Sequence, residues 1–345
     1  MNRVLAGLVP DRDKEKRVID ARNRLRYGVF EQAARNFAVL GYVWNITPSS
    51  MRKAVHHECL IQDALHLTTF AGTVTERDEI ESRLFHLQRQ RYATKKGDTL
   101  SQSIGASTKD THLAHLYLDA RFTRDWLERS PLPSDMSGLY HTLQDRGAEL
   151  GLWLPRDADR ITDQMMGVIL DKAKACDTLA RVGQLWLSTL ALLDKDELEQ
   201  ITAYTLLSVL ISKANLSPLP PLSLGGCFSP KTLANRPSFE EKMVYVAGVM
   251  NRMGAQAQGR LMLCHHKVEE WSKKLSSQAY VAGHLQTALP WLCFRERIRS
   301  TDITHFTGCS RMQANRIIGH LVDRGVVQPI DNRRRNRVFR VLDNI

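Results

Sequence analysis

Long apolar runs are missing from this chain. Its longest, such as Leu185 to Leu193, fall far short of the roughly 20 residues a membrane-spanning helix needs. The opening MNRVLAGLVPDRDKEKR also lacks the apolar centre of a secretory signal, so the expected location is cytoplasmic. Cysteine is scarce: six in 345 residues, at 59, 176, 227, 264, 293 and 309, with no Cys-x-x-Cys pair. That argues against a disulfide framework and for reduced thiols. Catalytic templates are missing too. There is no phosphate-binding Gly-rich loop ending in Lys-Ser or Lys-Thr, no Rossmann glycine fingerprint, no Gly-x-Ser-x-Gly elbow and no His-Glu-x-x-His. The expectation is a non-enzymatic chain without a cofactor.

Acidic residues are outnumbered, and unevenly so. The formal net charge is +11; residues 287–345 hold eleven arginines against five acidic residues, a net +6, which leaves +5 for the 286 positions before them. A basic segment attracts polyanions and makes affinity fall steeply with salt, which suits nucleic acid better than an acidic small molecule.

Most of the chain reads as helix, so the expected fold class is mainly α. Asp11 to Trp44 carries apolar residues at helical spacing, Pro48, Ser49 and Ser50 reset the chain, and Met51 to Thr68 follows as a second amphipathic run. Thr75 with Asp78 resembles a capped start for Asp78 to Arg91, and Ala93 to Lys109 reads as a flexible loop after a basic, solvated helix end. Ile161 to Leu193 predicts a long helix or a helix pair, and Asp194 to Ile211 a further helix.

Leu216 to Pro237 holds five of the twelve prolines and the adjacent Gly225 and Gly226, so a continuous helix or central strand is excluded there. Its leucines and Phe228 argue that part of it packs on a surface. Ser238 and Glu241 form a capping box, after which Glu240 to Met253 and Leu261 to Leu275 read as two helices. The organisation this implies is a helical body over 1–215, a connector over 216–237, a helical scaffold over 238–276 and a C-terminal domain over 277–345. The body is expected to form a homodimer or to bind a partner.

Two clusters raise the question of a metal: His56, His57, Glu58 and Cys59, and Cys264, His265 and His266. Zinc takes four tetrahedral ligands, but neighbouring residues on a helix point in different directions, so adjacent histidines seldom share one ion. The expectation is therefore no metal, with the histidines on helix surfaces beside a buried cysteine. His112 and His115, one turn apart, receive the same reading.

The C-terminal stretch STDITHFTGCSRMQANRIIGHLVDRGVVQPIDNRRRNRVFRVL is the most informative. Tyr280 to Leu292 is expected as a first helix. Thr301 can cap a short helix carrying Ile303 and Phe306, and Gly308 permits a tight turn. Ser310 and Gln313 form a capping box that fixes the register of the next helix. Ala314, Ile317, Ile318 and Leu321 then make a buried stripe, while Arg311, Met312, Gln313, Asn315 and Arg316 face outward or to the rim. Arginine can pair with guanine and Gln or Asn with adenine in the major groove. Gly325 ends the helix, and short strands are expected within Val326 to Ile330 and Arg337 to Leu342, making a two-stranded wing. The loop Asp331, Asn332, Arg333, Arg334, Arg335, Asn336 places three arginines at a hairpin tip, whose natural partner is phosphate or a narrow minor groove.

Residues 300–342 resemble the winged helix-turn-helix of MarR-type regulators, in which a Ser-Arg-x-x-x-x-Arg-Ile-Ile-x-x-Leu helix precedes a Gly, a strand and a basic wing. Those positions here are Ser310, Arg311, Arg316, Ile317, Ile318 and Leu321. The resemblance implies that Arg311 to Arg316 enter the major groove of double-stranded DNA and that the wing, with Arg333, Arg334, Arg335, Asn336 and Arg337, lies along its backbone or minor groove. A similar winged helix ends many Fic-type nucleotidyl transferases, with an Arg-Asn-Arg much like Arg335 to Arg337. Such an enzyme also needs a His-Pro-Phe motif leading into a Gly-Asn-Gly-Arg loop, and this chain has neither. The expected function is sequence-specific DNA binding by a transcription regulator or maintenance factor of a bacterium or mobile element. The alternative is an effector or defence protein whose winged helix serves targeting or autoregulation.

Overall fold

The computed structural model describes residues 12–70, 76–81, 163–190, 224–275, 282–330 and 337–342, with 207, 210, 211 and 214. These residues are mainly helical and carry a small antiparallel sheet. In chain order the elements are α1 (Arg12–Ile46), α2 (Ser49–Phe70), α3 (Asp163–Lys174), α4 (Leu179–Leu190), α5 (Pro230–Ala234), α6 (Phe239–Leu275) and α7 (Ala282–Leu292). They continue with β1 (Arg297–Ile298), α8 (Ser300–Thr307), α9 (Arg311–Asp323), β2 (Val327–Pro329) and β3 (Phe339–Val341). No helix among the described residues is long and apolar enough to cross a membrane.

The long helices α1 and α6 pack side by side. Asn36 donates to Asn251 at 2.7 Å and Thr47 Oγ1 meets His265 Nε2 at 3.0 Å, so residue numbers rise together along both helices and the pair runs parallel. Here the sequence reading is corrected: Glu240 to Met253 and Leu261 to Leu275 are one helix of 37 residues, not two. Gly254 and Gly259 weaken helix propensity, but tertiary packing overrides them. A methyl group at Gly254 would sit 2.8 Å from two carbons of the Phe37 ring, so the glycine admits the close approach of α1. Ser238 Oγ accepts the Glu241 N–H at 3.1 Å at the start of α6, where the capping box was expected.

The span 161–193 resolves into the pair α3 and α4, broken between Lys174 and Leu179. Within Leu216 to Pro237, Gly226 takes the left-handed φ of 76° in a turn that joins Cys227 N–H to Leu224 O at 2.8 Å. Phe228 is buried edge-on to Trp186, with ring centroids 5.2 Å apart, as its large apolar side chain suggested. The same segment also holds the short helix α5, which the sequence reading did not foresee. Ser229 caps it by accepting the Thr232 N–H, and Pro230 stands at its first turn, where no donor is lost.

Helix α2 is buried on every side from Ala54 to Ile61, as a helix at the centre of a core must be. The expected surface histidines are therefore a correction: His56 and His57 lie inside, because α2 is covered by α6 and α7. His112 and His115, Thr75, Ala93 to Lys109 and most of the helix expected from Asp194 lie outside the described residues.

Candidate nucleic-acid interface

Helix α8 begins two residues earlier than expected. Arg299, not Thr301, is its cap position, and the Asp302 carboxylate accepts the Arg299 N–H at 2.7 Å. Gly308 ends it at φ 72°, donating to Thr304 O. Helix α9 starts on the anticipated capping box. Ser310 Oγ accepts the Gln313 N–H at 3.3 Å, and Gln313 Oε1 accepts the Ser310 N–H at 2.9 Å. Its far end is closed by two bonds, Gly325 N–H to Val322 O and Val326 N–H to Leu321 O, with Gly325 at φ 67°.

The two faces of α9 differ as the register requires. Ala314, Ile317, Ile318 and Leu321 are buried, whereas Arg311, Met312, Asn315 and Arg316 are exposed, Met312 at 62 %. Ser310 and Gln313 have their side chains turned onto the helix end. Arginine and asparagine side chains thus stand free along one edge of a helix whose other edge is locked into the core.

Beside α9 lies the sheet, and it has three strands where the sequence suggested two. The order is β1-β3-β2, all antiparallel, with Arg297 opposite Arg340 and Gln328 opposite Arg340 on the other side. The additional strand β1 is only two residues long, too short for a periodicity signal, although the exposed-buried-exposed run Arg297, Ile298, Arg299 carries its alternation. Pro329, which has no N–H to give, sits on an edge strand. Arg337 is exposed near the Phe339 ring, 5.8 Å from its centroid. Arg333, Arg334, Arg335 and Asn336 lie outside the described residues. The exposed Arg297, Arg299 and Arg340 are additional cations that the sequence reading did not single out.

What holds this unit against the helical body is polar as well as apolar. Within the unit Trp291 stacks on Phe306 at 5.1 Å, and across the junction His57 of α2 meets Phe306 edge-on at 5.9 Å. Four charged side chains close the junction. Arg77 pairs with Glu58 on α2 and with Glu81 at 2.6 Å, and donates to Phe294 O at 3.2 Å. Arg295 pairs with Glu81 and lies over the Trp291 ring, 4.6 Å from its centroid. Two arginines face two glutamates, so the cluster is balanced. Burial, with Arg77 nearby, pulls the Arg295 guanidinium down to about 9, and it stays protonated at neutral pH.

The surroundings keep His57 neutral. Burial first, then Arg295, His56 and Arg77, pull its pKa well below the usual value. An unfolded chain takes up that proton near pH 6.5 while the folded chain does not. This contribution to stability is complete above about pH 6.5 and is lost as pH falls toward the lower folded value. Urea unfolding between pH 7.5 and 5 is expected to show stability declining on the acid side by on the order of 1–2 kcal/mol, with a flatter profile for His57→Phe. An equal slope in both would remove His57 as the cause.

All six cysteines are buried and unpaired. Burial pushes the Cys59 and Cys227 thiols up to about 11, which leaves them inert as nucleophiles at neutral pH. Among the described residues no three His, Cys, Asp or Glu side chains converge as a metal site. Compared with known proteins, the chain matches no family model and no curated protein.

Proposed function

We propose that this chain is a sequence-specific double-stranded DNA-binding protein and that residues 282–342 act as a winged helix-turn-helix. The reading is supported by the order helix, strand, helix, helix, strand, strand, with a left-handed glycine between α8 and α9. The observation that carries it is α9 itself: Arg311, Asn315 and Arg316 are exposed along a capped helix whose apolar stripe is buried. Such side chains match the donor and acceptor edges of guanine and adenine. The arginine-rich hairpin would add phosphate or minor-groove contacts. The helical body would join two copies so that paired α9 helices meet half-sites one helical turn apart.

The test is to select bound sequences from random duplexes with the full-length protein and then measure affinity for the selected site. Arg311→Ala and Arg316→Ala are each expected to lose about 1–3 kcal/mol of discrimination at one base position. Failure of the native protein to enrich any sequence, or unchanged preferences in both variants, would overturn the assignment.

A further inference from the structure

The exposed face of the sheet carries an arrangement that folding alone does not favour. Arg297 and Arg340 are register partners on adjacent strands, and Gln328 continues the row on the third. Their neighbours Ile298, Phe339, Val341 and Val327 are buried, so the row stands on the side of the sheet away from the core. Directly opposed residues place their Cβ atoms roughly 4.5–5.5 Å apart, where like charges repel. No carboxylate among the described residues pairs with either arginine. Arg299, two residues after Arg297 in extended backbone, is also exposed. Exposed arginines therefore cluster on this side of the unit, and their forked donors match the bidentate geometry of phosphate oxygens.

We infer that this outer sheet face is a second phosphate-contacting surface, occupied by the DNA duplex where it continues beyond the segment met by α9; the inference rests on the DNA-binding reading above. Charge complementarity names the occupant: the row belongs to a stretch with a net charge of +6. Position separates it from the α9 contact. The inner face of the sheet carries the buried residues and β2 packs on α9, so phosphates beside α9 cannot also lie against the opposite face.

The experiment uses the full-length protein, fluorescent random-sequence duplexes of about 15 and about 40 base pairs, and anisotropy over a salt series. On the longer duplex, Arg297→Gln with Arg340→Gln is expected to lower the slope of log affinity against log salt by about 2, with little change on the shorter one. Arg297→Lys with Arg340→Lys should retain most of the slope. The glutamine variant should melt at the native temperature or slightly above it, because a repulsive pair is gone. A native slope in the glutamine variant, with binding weakened by Arg311→Ala and Arg316→Ala, overturns this inference and leaves the α9 reading standing. Equal losses on both duplexes, or capture of a second labelled duplex by the native protein alone, overturn the flanking placement. Absence of native binding to either duplex overturns both readings.

Discussion

Arg295→Ala is expected to destabilise the protein by about 3–5 kcal/mol, the usual result of removing one partner from a buried charge cluster. The Arg295 side chain is only 3 % exposed and Glu81 only 12 %. Alanine would leave Glu81 shared with Arg77 alone and would strip a cation from the face of Trp291. The loss should appear in thermal melting as a markedly lower transition. Because the cost arises from the abandoned carboxylate, Arg295→Met with Glu81→Gln should recover much of it. If Arg295→Ala melts like the native chain, the junction owes nothing to its charges, and the packing of α7 on α2 with the His57 contact to Phe306 carries it alone. The cluster also bears on DNA binding as proposed, since it joins the base of β1 to the core helix α2 and so sets where α9 is presented.

A comparable loss, about 3–5 kcal/mol, is expected for Trp186→Ala. Trp186 is fully buried on α4, edge-on to Phe228, whose ring in turn lies 6.3 Å from that of Tyr245 on α6. Removing the indole empties the space that ties α4 to the proline-rich segment and to the long helix. Trp186→Phe keeps an aromatic edge and should cost clearly less. Chemical denaturation of both variants decides the matter: equal stabilities would mean the segment around Phe228 closes over the cavity, a mark of looser packing than its burial suggests.

Much of the C-terminal unit was legible in the sequence because its signals are local. The Ser310 and Gln313 box, the left-handed glycines and the buried stripe of α9 each depend on residues within a few positions of one another. Long-range features were less visible. The unbroken α6 could not be read through Gly254 and Gly259, because the space they make is filled by Phe37, more than 200 positions earlier. The third strand eluded the sequence for a similar reason: two residues show no periodicity until β3 supplies their hydrogen bonds. His56 and His57 were placed on a surface because polar residues usually are, whereas α2 is buried on every side from Ala54 to Ile61.

By itself, then, the order of residues determined that the chain is mainly helical, where α8 ends, where α9 begins and ends, and which edge of α9 turns to solvent. Capping, left-handed backbone and helical period act over one or two turns of chain. Only the tertiary structure decided that α1 and α6 run parallel, that the middle of α2 lies in the core with His56 and His57 inside, and that Arg77, Arg295, Glu58 and Glu81 meet. These outcomes depend on which surfaces exclude water together and which charges must find partners once water is gone, and both are properties of segments far apart in sequence.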